Sequence, residues 1–328
     1  MKRAAIAFAA LLVAAPASAQ VTIKVGGPTI NDTTHNWQKI FQSGMQAKAG
    51  GKVKVEIYPA SQLGPMPRMI EGTQLGTIEI TVMPFDFLAG VDRRYTIFGY
   101  PGIFNDVEHG FRALHDPQFK AAYWKIGDAK GLEMIGATCD TTTTYVFRRP
   151  VRSLGEFAGK KIRVFASAAE REVMKRLDAA AAPMPLDEVI LALNTGAIDG
   201  AKGTVTVWTP FKYFDVAKYI IRTDEALICV IKNASKQWMD KLPEDLRRTV
   251  REEAIRADNE NMAFIVKFVD QSYQTWKATG GEIIDLAPAE KATLKQKLST
   301  VGDTVVENDA ELKATYAAMK DAAARTRK

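Results

Sequence analysis

The stretch that decides the fold is SLGEFAGKKIRVFASAAEREVMKRLDAAAAPMPLDEVILALNTGAIDG, residues Ser153–Gly200. A short apolar strand at 161–164 carries Arg163, and a helical stretch, a Pro-x-Pro turn and a second amphipathic stretch follow it. Arginine keeps its charge, and its planar fork matches a carboxylate through two parallel hydrogen bonds. Burying it is costly unless an anion meets it. Two interpretations stay open: Arg163 pairs with an Asp or Glu of the protein, or it binds an anionic ligand.

Strands and helices alternate on both sides of this stretch. Strands are predicted at 22–25, 53–58, 78–82, 135–146, 161–164 and 225–231, and helices at 37–48, 67–75, 170–177 and 188–194. The long helical pattern over 247–279 is one helix or two, and helical segments over 287–303 and 308–328 follow. Strand–helix–strand order implies right-handed crossovers in a largely parallel sheet. We therefore predict an α/β protein.

The amino terminus has the pattern of a secretory signal peptide. Lys2 and Arg3 precede an apolar run over 4–15, and Ala17-Ser18-Ala19 fits the small-x-small cleavage rule. No later stretch has the roughly 18 consecutive apolar residues that a spanning helix needs. We expect residues 1–19 to be removed and the mature protein to be soluble and located in the periplasm.

Composition and motifs exclude several classes of function. The net charge of +6 is spread over the chain, and no block of basic residues suggests nucleic acid. The three histidines lack metal-ligand spacing, and GxSxG, Walker and GxGxxG motifs are absent from the sequence. We expect no enzyme, no cofactor and no bound metal. An exported hydrolase that uses two carboxylates stays open, because Asp and Glu are plentiful.

The two cysteines, Cys139 and Cys229, allow two interpretations. An exported chain meets an oxidising compartment, where a single disulfide forms. Buried cysteines are also common as small apolar core residues. We favour two free thiols.

An ordered set of motifs resembles the substrate-binding proteins of TRAP transporters (tripartite ATP-independent periplasmic transporters), of the dicarboxylate-binding type. The matching segments are Tyr58–Gly64, Met69–Glu79, Gly159–Val164, Pro183–Val189, Gly196–Gly200, Tyr213–Tyr219 and Trp238–Pro243. They follow the family's order at about its spacing, from about Val21 to Val301.

The resemblance implies a two-lobe periplasmic binding protein fold with largely parallel sheets flanked by helices. Lobe I would comprise 20–140 and 228–268, and lobe II 141–227 and 269–328. The chain would cross between the lobes at 141–144 and 226–230, and a long helix starting near Pro243 would span both. A ligand would bind between the lobes, and the small and large membrane subunits of the transporter would be the protein partners.

In lobe II the resemblance places the carboxylate clamp at Arg163. Thr143, about twenty positions earlier, stands where relatives often have a polar or charged group that helps hold the carboxylate. Relatives commonly have asparagine or tryptophan at the position of Gly203. Because glycine has no side chain, Gly203 removes a ligand contact and opens space. Trp208 is predicted to fill that space, or else to be ordinary core. Phe165 completes this side of the predicted site.

In lobe I the loop after the third strand reads Met83-Pro84-Phe85-Asp86-Phe87. Sialic-acid-binding relatives hold an acid where Pro84 stands, and Phe85 gives the loop an aromatic side. His35 and Asn36 occupy a loop where relatives often contact the ligand; Asp32 or Thr33 as a helix cap explains its polarity equally well. Arg68 is a second candidate cation, or a solvated residue at a helix start.

One cation, several hydroxyls and aromatic walls predict a monocarboxylate ligand, an aromatic acid before a short 2-oxo or hydroxy acid. We therefore expect a transport receptor for an organic acid. A sensor subunit that presents its ligand to a membrane kinase shares this fold and site, and stays open as an alternative.

Overall fold

Nine strands form one mixed sheet in the computed structural model, which describes residues 20–328. The predicted signal peptide, residues 1–19, lies outside the described residues. The strands are β1 (Val21–Gly26), β2 (Val53–Tyr58), β3 (Ile80–Pro84), β4 (Leu132–Phe147), β5 (Lys161–Val164), β6 (Ala180–Pro183), β7 (Gly200–Gly203), β8 (Tyr219–Ser235) and β9 (Glu282–Asp285).

Twelve α-helices cover this sheet in the described part of the chain. They are α1 (Thr33–Ala49), α2 (Met66–Gln74), α3 (Val107–Leu114), α4 (Pro117–Tyr123), α5 (Ala168–Arg176), α6 (Val189–Thr195), α7 (Val205–Trp208), α8 (Lys236–Lys241), α9 (Glu244–Ala278), α10 (Pro288–Leu298), α11 (Val301–Val306) and α12 (Ala310–Thr326). None of them combines the length and the apolar character that a membrane-crossing helix requires.

The sheet has a parallel region at each end and a long antiparallel pair in the middle. Its order is β2-β1-β3-β8-β4-β7-β5-β6, with β9 added beside β8. β1 runs parallel to β2 and β3, and β5 runs parallel to β6 and β7. β4 and β8, of 16 and 17 residues, pair antiparallel along nearly their whole length. The predicted α/β fold with two lobes and largely parallel strands is confirmed.

The two middle strands carry the chain from one parallel region to the other. Their pairing is interrupted between Cys139 and Thr141 and again between Thr142 and Thr144. Bulges of this kind bend a strand and increase its twist. The threonine run at 141–144 is β-branched and suits an extended backbone. Two of the three irregularities in the pairing of β4 with β8 lie in or beside it; the third lies between Met134 and Gly136.

α9 is a single helix of 35 residues rather than two in series. It begins after Pro243, whose missing N–H is tolerated at a helix start, and ends before Gly280, which has a φ of +81°. It packs against α1 of one lobe, against the crossing strand β4, and against α7 and β9 of the other lobe. The predicted long helix spanning both lobes is confirmed.

The carboxyl-terminal helix returns to the first half of the chain. α12 packs against α3 and α4, and the buried side chains of Tyr316 and Met319 belong to its inner face. Those helices lie in the part of the chain assigned to lobe I, whereas residues 269–328 are assigned to lobe II. The lobe boundaries therefore stay a prediction, and α12 contacts the lobe opposite to its assignment.

Our preference for free thiols was wrong, because Cys139 and Cys229 form a disulfide. The two residues face each other in register across β4 and β8. Two long antiparallel strands bring together residues that are 90 positions apart, and sequence spacing alone does not reveal this. The bridge therefore joins the two strands beside their bulged segment.

Candidate functional site

A cavity lies where the two lobes meet, and both contribute to its walls. Residues from the first half of the chain are Pro28, Thr29, Asp32, Thr34, Met66 and Pro84; the crossing strands add Asp140, Ile228 and Val230; the second half adds Arg163, Phe165, Leu186, Gly203, Thr204, Val207 and Trp208. Most of these side chains are apolar, and a few placed polar groups stand among them. That composition is typical of a small-molecule site.

Arg163 is fixed in this wall by the strands around it. β5 lies between β6 and β7, and Arg163 is only 1% exposed. Its Nε donates to the carbonyl of Met184 at 3.0 Å, its Nη1 donates to the carbonyl of Lys202 at 2.9 Å, and Phe165 stacks 4.7 Å from the guanidinium carbon. Burial lowers the pKa of Arg163 to about 10, so it is still charged at neutral pH.

The charge of Arg163 has no ion-pair partner in the part of the chain that the structure describes. Among residues 20–328, no carboxylate oxygen lies within 4.0 Å of its nitrogens, and its Nη2 donates no hydrogen bond. Both bonds that hold the side chain use neutral carbonyl oxygens. Glu170, Asp86 and Asp187 lie near enough to favour the charged form, but none of them pairs with it directly. The guanidinium is thus positioned by the fold, and its Nη2 is left for another group.

Lys202, beside Arg163, is a second buried cation, and the protein neutralises it. Its ammonium lies 2.6 Å from Glu170 and 3.2 Å from Glu225. Burial works against the charged form of Glu225, but Lys202 and the hydroxyls of Thr143 and Thr223 hold its pKa below the ordinary value. The residues of this cluster lie next to Arg163 but outside the cavity wall.

Thr143 belongs to that cluster and lies outside the cavity wall. Its hydroxyl donates to Glu225 at 2.6 Å and accepts from the N–H of Ala226. A threonine has one hydroxyl proton, and here the proton is already used. In this structure Thr143 therefore stabilises the ionised form of Glu225, which pairs with Lys202.

Gly203 and Trp208 are explained together. A Cβ atom at Gly203 would overlap the six-membered ring of Trp208. The indole N–H of Trp208 donates to Thr144 at 3.0 Å, which fixes the ring in the cavity wall. Trp208 fills the space that Gly203 opens, and it is at the same time fully buried core.

The other four predicted residues lie outside the cavity wall. Phe85 is buried against Phe98, with ring centroids 4.1 Å apart. The Nδ1 of His35 accepts from the N–H of Asn31, and Asn36 donates to Asn261. The Arg68 side chain is 74% exposed and pairs with Glu71 at 3.2 Å. In this structure these side chains serve packing, loop and surface contacts.

Two buried acids in the cavity wall were missed from sequence. Asp32 was interpreted only as a helix cap, and it does cap α1, because its Oδ1 accepts from the N–H of His35 at 2.9 Å. Asp140 accepts from Thr33 at 2.6 Å through its Oδ2. Burial raises the pKa of Asp32 to about 7 and that of Asp140 to about 6. An acid within a strand of apolar and threonine residues was the available signal for Asp140.

Among the described residues, no cluster of three or more His, Cys, Asp or Glu side chains has the arrangement of a metal site. The chemistry that the cavity offers is recognition by one cation, two acids, several hydroxyls and apolar walls.

Comparison with known proteins identifies the family. The profile of the bacterial extracellular solute-binding protein family 7 matches residues 28–309. The C4-dicarboxylate-binding periplasmic protein DctP of Rhodobacter capsulatus is 28% identical over 290 residues, which cover 87% of this chain and 85% of that protein.

Two solved structures share the fold. One is a TRAP periplasmic solute binding protein from Anaerococcus prevotii with bound glucuronate. It is 26% identical to this chain, superposes with a TM-score of 0.85, and the match covers 93% of this chain and 99% of that one. The other, from Desulfovibrio salexigens with bound orotic acid, has 21% identity and a TM-score of 0.88, covering 94% of this chain and all of that one, 100%. These relatives are solute-binding proteins rather than enzymes. Together with the two-lobe fold and the match over residues 28–309, they show that the chain belongs to the bacterial extracellular solute-binding protein family 7, the substrate-binding proteins of TRAP transporters.

Proposed function

We propose that this protein is the receptor of a TRAP transporter for an organic acid, and that Arg163 holds the carboxylate of the ligand. The observation that carries the proposal is the buried guanidinium, which is fixed by two neutral carbonyls and makes no ion pair with a carboxylate of the described chain. A ligand carboxylate that accepts from the free Nη2 would neutralise this charge, because a charge-assisted bond is about twice as strong as a neutral one.

The relatives support a carboxylate ligand without identifying it. A C4-dicarboxylate-binding protein, a glucuronate complex and an orotate complex are among the proteins similar to this chain, and all three ligands are carboxylic acids. The aromatic acid expected from sequence rests on the apolar walls, to which Phe165 and Trp208 contribute. It stays a prediction.

The fold supports a receptor that closes around its ligand. We propose that the lobes divide near the boundaries 20–140 with 228–268 and 141–227 with 269–328, and that the bulged segment of β4 acts as part of the hinge. Hinge closure around a ligand is an established way for two lobes to bind. The closed form would then deliver the ligand to the small and large membrane subunits from the periplasm.

A thermal-shift screen against carboxylic acids, followed by calorimetric titration of the hits, tests this function. A ligand that binds only the folded state raises the melting temperature by mass action. The panel contains succinate, orotate, benzoate, lactate, D-glucuronate and D-galactonate, with uncharged D-galactose as the control. At least one acid is expected to bind, and to lose binding in Arg163→Ala. No stabilisation by any acid, or equal binding by Arg163→Ala, would overturn the proposal.

A further inference from the structure

Three polar atoms of the cavity wall make no hydrogen bond of normal geometry within the described protein, although the hydroxyl of Thr29 lies near enough to Asp32 to oppose the rise in the pKa of that acid. They are Oγ1 of Thr29, Oδ2 of Asp32 and Oδ1 of Asp140. The three residues are 5%, 2% and 5% exposed, so bulk water does not solvate them freely. Buried polar atoms are normally hydrogen-bonded, and an orphan calls for an explanation.

In each of the two carboxylates, the second oxygen accepts a hydrogen bond that holds the group in place. Oδ1 of Asp32 accepts from the N–H of His35, and Oδ2 of Asp140 accepts from Thr33. The residues that supply these bonds are neighbours in the first turn of α1. Both acids are thus positioned by the same helix start, and each keeps one oxygen unused.

Among residues 20–328, no lysine, arginine or histidine forms an ion pair with Asp32 or Asp140. Lys232, on β8, attracts Asp140, but its ammonium lies 2.8 Å from Asp258 of α9 and donates to Thr138. The negative charge of Asp140 adds to the effect of burial in raising the pKa of Asp32. A pair that carries protons near neutral pH both donates and accepts hydrogen bonds.

We propose that Asp32 and Asp140, with Thr29, form a second subsite that binds hydroxyl groups of the ligand, so that the ligand is a hydroxylated carboxylic acid. The inference rests on the proposed function, in which Arg163 binds the carboxylate of the ligand elsewhere in the wall of the same cavity. Hydroxyls both donate and accept, which matches a partly protonated acid pair. An unsubstituted or aromatic acid would leave the three atoms without partners.

Titration of the wild-type protein with acids of related size tests the inference without any substitution. The probes are D-galactonate and D-glucuronate, which carry hydroxyls, hexanoate and benzoate, which do not, and 6-aminohexanoate, which carries an ammonium. A hydroxylated acid is expected to bind at least about tenfold more tightly than hexanoate or benzoate, because a site built for hydroxyls rejects analogues that lack them. Tightest binding by hexanoate, benzoate or 6-aminohexanoate overturns it.

Substitution of the acids provides the second test. Asp140→Leu and Asp32→Asn should weaken binding of the hydroxylated acid by about tenfold to a hundredfold, the range for hydrogen bonds to charged groups. Binding of hexanoate should change by less than about threefold. Asparagine still caps a helix, so Asp32→Asn should fold.

The chain contains a matched control for Asp32. Asp106 caps α3 by accepting from the N–H of His109 at 2.7 Å, as Asp32 caps α1 through His35, and it lies outside the cavity wall. Asp106→Asn should leave binding unchanged. If the acids bind through Arg163 but the Asp32 and Asp140 variants bind like wild type, this inference fails while the proposed function stands. If no acid of this set or of the thermal-shift panel binds, the proposed function fails and this inference with it.

Discussion

The Nη1 of Arg163 donates a hydrogen bond to the backbone carbonyl of Lys202, and the side chain of Lys202 points into a separate cluster with Glu170 and Glu225. Two buried cations are therefore neighbours, but only one is neutralised by the protein. Lys202 has two carboxylates within 3.2 Å, whereas Arg163 has neutral carbonyls. The contrast separates a structural charge from a charge that is available to a ligand.

Arg163→Ala is expected to reduce affinity for the acid found by screening by about 2–5 kcal/mol, because the carboxylate loses its charged partner. Arg163→Lys should recover only part of this loss, since an ammonium cannot form the fork. Calorimetric titration measures both, and circular dichroism checks folding. Arg68→Ala is the control, because that side chain is 74% exposed and should not affect binding. If Arg163→Ala binds within about threefold of wild type, the clamp lies elsewhere.

Lys202→Met is expected to lower the free energy of unfolding by about 3–5 kcal/mol, because it leaves two buried carboxylates without their cation. Urea denaturation gives this quantity. Lys161→Met on the same sheet is the matched control, since Lys161 is exposed and makes no ion pair among the described residues. Equal stability of the two variants would show that the buried cluster does not depend on Lys202.

Gly203→Ala is expected to lower the free energy of unfolding by about 1–3 kcal/mol, because its methyl group overlaps the Trp208 ring and forces repacking. Thermal unfolding with and without the acid ligand measures the loss and any accompanying change in binding. Gly155→Ala serves as the control, because a Cβ there meets no atom within 4 Å. A melting temperature equal to that of the control would contradict this packing.

Asp32 is expected to make the protein less stable as pH rises. Burial raises its pKa from 3.8 in the unfolded chain to about 7 in the folded protein. The folded state therefore holds the proton more tightly, and its stability falls progressively as pH rises through this window. Asp32→Asn removes the titration but keeps the cap. The free energy of unfolding of the variant should exceed that of wild type by about 2–4 kcal/mol at about pH 8. This difference should vanish near pH 4.

Urea denaturation of both proteins at several pH values checks this dependence. Asp106→Asn, which changes the matching cap of α3, should follow the wild-type profile. If the stability of wild type and of Asp32→Asn changes with pH in the same way, folding does not raise the pKa of Asp32, and this prediction is contradicted.

Protein purified without reductant is expected to have no free thiol. Alkylation in denaturant should add mass only after reduction, as intact-mass analysis will show. The Cys139→Ala/Cys229→Ala variant should lose about 2–5 kcal/mol of stability, because the bridge closes a long loop. Two alkylated cysteines without reductant would contradict the pairing.

The sequence by itself determined the local elements and their order. Alternating strands and helices predicted the parallel regions, the periodic pattern over 247–279 predicted one long helix or two, and the residues around Arg163 predicted a cation in a strand. These features follow from backbone propensity and side-chain periodicity, which act over a few residues. The family motifs were recognisable for the same reason, since each is a short segment.

Only the tertiary structure decided which side chains meet. The register of β4 and β8 pairs Cys139 with Cys229, and the tertiary fold brings the start of α1, with Asp32 and Thr33, to the same cavity as Asp140. The same register turns Thr143 towards Glu225 and away from the cavity. Contacts between residues far apart in the chain depend on strand register and on burial of the whole core, and no local pattern encodes them.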